Sequence, residues 1–198
     1  MAESTKDTAL GMDVTGGCEG PLAEFSALRQ ETLERVKAQQ QLLTLQLTVT
    51  ATIFGFAISR PDMTAVMLIV PFSSYLLCGR LVAQHFGTVR VAEYVRTHLS
   101  DRVPGGLHWE AWLRRRPYKP HLFGSLLPLL LTFVGASVLA LASTLGYVFG
   151  HADFGVGSRI GLTTVWFVGL GAATLSLLLV LQMTGRAPIR GWRQTGLF

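Results

Sequence analysis

Four tracts without a formal charge set the pattern of this chain. They run between Lys37 and Arg60, between Asp62 and Arg80, between Lys119 and Asp153, and between Arg159 and Arg186. A bilayer core about 30 Å thick takes about 20 apolar residues of helix to cross. Trimmed of their polar ends, the tracts predict spans over about 40–59, 63–84, 123–149 and 160–183. Soluble core helices rarely run this far without a charge. The predicted architecture is all-α: a four-helix transmembrane bundle within a membrane domain over 22–185.

The polar stretches carry their own patterns. Residues 1–21 are rich in glycine, serine, threonine and acids, and are expected to form a disordered tail. From Leu22 the apolar positions Leu22, Phe25, Leu28, Leu33 and Val36 turn helical, with Glu31 and Arg35 one turn apart. That helix is expected to run straight into span one. Span two is expected to continue beyond the bilayer, because Ala92, Val95, Leu99 and Val103 keep a helical spacing. Pro104-Gly105-Gly106 forces a turn, and a short helix follows from Leu107 to Arg116. Residues 85–120 therefore read as a helical hairpin, and 186–198 as a basic tail.

Charge decides the orientation. Of the 17 basic residues, all but Arg60 and Arg159 fall before span one, between spans two and three (with Arg80, near the end of span two, counted there), or after span four. Basic residues collect on the cytoplasmic side. The expectation is both termini and the hairpin in the cytoplasm, in a multi-pass protein of the plasma membrane. About 40 polar residues precede the first apolar run, which is not the layout of a secretory signal. Trp109, Trp112 and Trp192, with Arg114, Arg115 and Arg116, suit the membrane interface. Anionic lipid is the expected partner of the arginine triplet. The net charge of +5 follows from this asymmetry, so nucleic acid is not an expected partner.

Composition narrows the chemistry. The chain is 49% hydrophobic and 15% charged, against about a quarter charged in soluble domains, which argues against a soluble enzyme. The spans hold no Asp, Glu or Lys, and Arg80 lies close enough to one end to reach the interface. Proton-coupled transport relies on such groups, so an exporter of that kind is not supported. His108-x-Glu110 and His151-x-Asp153 offer too few ligands for zinc, and no metal or cofactor is expected. If the chain is an enzyme, its candidate residues are Glu93, Tyr94, Asp101 and Glu110, with His108 nearby. For Glu93 and Glu110 the simpler role is pairing with neighbouring arginines. Thr44, Thr48 and Thr52 share one face of span one, either as a polar seam or as a packing face. Gly169-x-x-x-Ala173, Ala172-x-x-x-Ser176 and the series Ala136, Ala140, Thr144 let helices approach closely, within the bundle or between subunits.

Val91-Ala92-Glu93-Tyr94-Val95-Arg96 and Gly106-Leu107-His108-Trp109-Glu110-Ala111-Trp112-Leu113 carry a further signal. Together with Gln39-Gln40-Gln41-Leu42-Leu43 and Pro71, they resemble a widespread group of small bacterial four-span membrane proteins, common in actinobacteria, without assigned activity. The resemblance covers about residues 29–116, and His108 stands where the group has glycine. It implies a shared cytoplasmic unit and brings no activity with it.

Two functional classes follow. The first is a non-enzymatic, homo-oligomeric membrane scaffold or pore-like effector, whose cytoplasmic cap binds a partner or a signal. The second is a small membrane-bound enzyme acting on a lipophilic substrate, an isoprenoid or a lipid, as membrane terpene cyclases do.

Overall fold

The computed structural model describes residues 6–103, 112, 115, 126–150 and 155–183. Every regular element among them is helical. Helix α1 covers Lys6–Ser59, α2 covers Pro61–Arg102, α3 covers Leu127–Gly150 and α4 covers Val156–Met183. All four are long and apolar enough to cross a membrane, so the chain reads as a multi-pass membrane protein. Lipid offers no partner to a free backbone amide or carbonyl, and a helix satisfies both within itself.

The boundaries follow the charges closely. Helix α1 ends at Ser59, immediately before Arg60-Pro61, and α4 ends at Met183. Helix α1 begins at Lys6, inside the stretch 1–21 expected to form a disordered tail. Extending an existing helix adds about one hydrogen bond for each residue ordered, Pro21 with its missing amide excepted, so the segment from Leu22 onward can carry the helix back toward the N-terminus.

Pro61, Pro71 and Pro128 sit at or beside changes of helix geometry. Helix α2 opens as a tight 3₁₀ turn over Pro61–Leu68 and becomes α-helical at Ile69–Tyr94, with Pro71 just inside. Helix α3 holds Pro128 in its first turn and widens to π geometry over Leu130–Gly135. Proline lacks the amide donor and crowds the carbonyl four residues back, so the neighbouring turns adjust. The hydroxyl of Thr132 donates to the Pro128 carbonyl at 2.7 Å, covering part of the disturbed ladder.

The chain divides into two compact units, and α1 and α2 contribute a segment to each. One unit takes 1–38 and 84–119, the other 39–83 and 120–198. Among the described residues of the second unit the core shows three apolar clusters. Phe133, Cys78, Leu81, Val82, Leu126 and Val180 form one. Ala57, Met67, Val70 and Ala140 form another, and Leu68, Leu141, Val148 and Ala173 the third. The outer faces are apolar as well, with Leu47, Ile58, Leu131, Leu139 and Phe167 exposed. Apolar side chains on both faces are what a lipid solvent allows.

The small-residue motifs resolve inward. Gly169, Ala172, Ala173 and Ser176 are all buried in the second unit, as are Ala140 and Thr144. A Cβ on Gly169 would stand 3.3 Å from Leu141 Cδ2 and 3.5 Å from Pro71 Cγ. These motifs therefore close the bundle of a single chain.

Candidate functional site

The spans carry their polar groups in two ways. On outer faces, hydroxyls donate to the carbonyl one turn back: Thr44 to Gln40, Thr48 to Thr44 and Thr52 to Thr48, at 3.1, 2.9 and 2.8 Å. This satisfies a hydroxyl in lipid without a second helix. The three threonines are exposed, as are Ala51, Gly55 and Ser59 on neighbouring positions of the same helix. Span one is also the least covered of the four. Only 11% of its most apolar window is buried, against 28–44% in the others.

Inside the second unit, polar atoms link one span to the next. Gln46 Nε2 donates to Ser74 Oγ at 2.7 Å and to Thr50 Oγ1 at 3.1 Å, joining spans one and two. The Cys78 thiol reaches the Ser176 carbonyl at 3.8 Å, joining spans two and four. Trp166 Nε1 donates to the Leu141 carbonyl at 3.1 Å, joining spans four and three. Ser137, Thr144 and Ser176 are buried and bond back to their own helix. Gln46 is fully buried, and its Oε1 meets no donor among the described residues.

Sequence reasoning had not singled out Gln46. The available signal was its side-chain type. Threonine closes its hydrogen bond within its own helix, whereas a glutamine amide presents two donors and an acceptor and calls for a neighbouring helix.

In the first unit, α1 and α2 lie against each other through polar pairs. Tyr94 donates its hydroxyl to Glu24 Oε1 at 2.7 Å, and its ring stacks on His98 with centroids 5.4 Å apart. Arg35 pairs with Glu31 on its own helix and donates from Nη1 to Gln84 Oε1 at 3.3 Å. Glu93 pairs with Arg96 in the turn where α2 widens over Val95–Leu99. Val95 and Leu99 of that turn are buried.

The sequence-predicted residues are thus placed unevenly. Glu93 and Tyr94 are engaged with Arg96 and Glu24, and Asp101 is exposed in the last turn of α2. Trp112 and Arg115 are exposed. His108, Trp109, Glu110, Arg114, Arg116, His151, Asp153 and Trp192 lie outside the described residues. Among the described residues, no group of His, Cys, Asp and Glu could hold a metal ion.

Tyr94 lies well past Arg80, where the charge-free tract ends. Its hydroxyl pKa is raised above the ordinary 10.0, first by the hydrogen bond to Glu24 and then by partial desolvation. A raised pKa means the protonated hydroxyl is favoured in the folded chain. The stability this contributes is present in full at neutral pH and is lost as pH climbs through the folded value, above 10.0. Alkaline titration should therefore loosen the α1–α2 contact in the wild type and leave Tyr94→Phe unchanged over the same range. Protease sensitivity of 22–38 reports the difference, and equal behaviour of the two proteins would refute it.

Gly87 gives the second expected result in this unit. A Cβ there would collide with the Arg35 guanidinium. Alanine should push Arg35 off Gln84, losing about 0.5–1.5 kcal/mol of hydrogen bonding. It should also recover about 1 kcal/mol of helix propensity. In an Arg35→Ala background only the recovery remains, so Gly87→Ala should stabilise there and be nearly neutral alone. Additive effects in a thermal-melt cycle would rule out the clash.

No known protein family, curated protein or solved structure matches this chain.

Proposed function

We propose that this chain is a non-enzymatic multi-pass protein of the plasma membrane that assembles with copies of itself. In this reading the exposed threonine face of span one meets neighbouring subunits or lines a pore between them. The observation that carries it is the outward placement of Thr44, Thr48 and Thr52 on the span that its own chain covers least. Hydroxyl-bearing and small positions on a lipid-facing helix favour contact with another helix. They also wet more readily than leucine, which a pore lining needs.

The basic residues support an orientation with both termini and the first unit in the cytoplasm. There the paired helices around Tyr94, Glu24 and Arg35 form a cap for a partner or a signal. Arg114, Arg115 and Arg116, with Trp109 and Trp112, sit at the anionic inner surface in this reading.

Reconstitution tests it. The purified protein should give a defined oligomer by mass measurement in nanodiscs and should raise ion flux in liposomes. Thr48→Leu/Thr52→Leu should lower the flux or the oligomer mass while inserting normally. A monomer in nanodiscs would sink the assembly. An oligomer silent in flux assays would sink the pore and retain the scaffold.

A further inference from the structure

The buried amide of Gln46 is incompletely matched. Its Nε2 serves two hydroxyls, Ser74 and Thr50, while its Oε1, equally buried, has no donor among the described residues. Each hydroxyl accepts from the amide and still has a proton to give. Turning the amide by half a rotation would let the oxygen accept from both hydroxyls and would strand two N–H donors instead. The first arrangement lacks a donor and the second lacks acceptors, so a group that can both donate and accept answers either.

From this we infer that Gln46, Thr50 and Ser74 hold a water molecule between spans one and two. Water both donates and accepts, and buried waters typically bond to two to four polar groups. Gln46 Oε1, Ser74 Oγ and Thr50 Oγ1 supply up to three. A cationic donor such as an ammonium group is disfavoured, because a charge among apolar spans needs a counter-charge. Among the described residues of the four charge-free tracts there is no carboxylate to provide one. The inference rests on the spans being embedded in lipid, where a stranded amide oxygen has no bulk water to turn to. It places hydration on the inner side of span one, opposite in character to the threonines on its outer side.

The test uses the full chain in lipid nanodiscs, with isotope-labelled glutamine side chains. The Gln46→Met variant assigns the Gln46 amide by loss of its signal. Magnetisation transfer from water to the Gln46 Nε2 protons is recorded with a soluble paramagnetic agent that bleaches bulk water. The expected result is a transfer signal that survives the agent in the wild type and is lost in Ser74→Ala, which keeps the amide and removes one partner of the water. Thr50→Val serves the same purpose where Ser74→Ala does not fold. An absent signal, with backbone amides of span one protected from exchange, overturns the water site and leaves the membrane reading intact. Rapid exchange of those backbone amides with bulk water overturns both.

Discussion

Replacing Gly169 with leucine is expected to cost about 1–3 kcal/mol of stability, the range for forcing extra volume into a packed core. Span four passes its neighbours closely at this point. A Cβ alone would lie 3.3 Å from Leu141 Cδ2, with Pro71 Cγ and Cβ at 3.5 and 3.6 Å. The Leu141 tip can turn aside, but the proline ring cannot, and a leucine side chain needs far more room than a methyl group. Two residues along the same helix, Gly171 is exposed, and a Cβ there meets nothing within 4 Å. Gly171→Leu should therefore be neutral or mildly stabilising, since glycine costs a helix about 1 kcal/mol relative to alanine. Unfolding of the two variants in mixed micelles by a denaturing detergent reads the contrast. Equal midpoints would show that span four does not pack here as described.

Truncation of Phe133 to alanine is the second large effect. Phe133 is fully buried against Cys78, Leu81, Val82, Leu126 and Val180. In soluble cores a Phe→Ala change costs about 3–5 kcal/mol, transfer and cavity terms together. Here the unfolded spans would remain in lipid, which is as apolar as the core. The transfer term largely disappears, and the lost packing contacts remain. A loss of roughly 2 kcal/mol is expected on that ground. Phe167, exposed on α4, supplies the comparison. Phe167→Ala should stay within about 0.5 kcal/mol of wild type, as surface substitutions do. If both variants unfold alike, the inward placement of Phe133 is wrong. If Phe133→Ala loses nearer the upper soluble figure, the reference state is aqueous and the lipid reading fails.

These two variants also show where sequence reading stops. That Gly169-x-x-x-Ala173 permits a close approach is visible in the letters. Which helix approaches is not, because the motif has no partner written into it. The same holds for the threonines. Their four-residue spacing placed them on one face, and only the packed chain put that face outward. Glu93 was expected to pair locally with an arginine and does so with Arg96, three residues on. Tyr94, a candidate acid or base from the sequence, donates its hydroxyl to Glu24, 70 positions away. No local rule could supply that pairing.

Sequence by itself determined the helical class, the number of helices long and apolar enough to cross a membrane, and most of their ends. In lipid, backbone groups must be satisfied within each span, and a charge-free tract long enough to cross has no alternative to a helix. The tertiary structure decided which faces meet. It set Gln46 against Ser74, the Cys78 thiol against the Ser176 carbonyl and Trp166 against the Leu141 carbonyl. Those choices depend on how side chains of several helices fill space together, and no single helix carries that information.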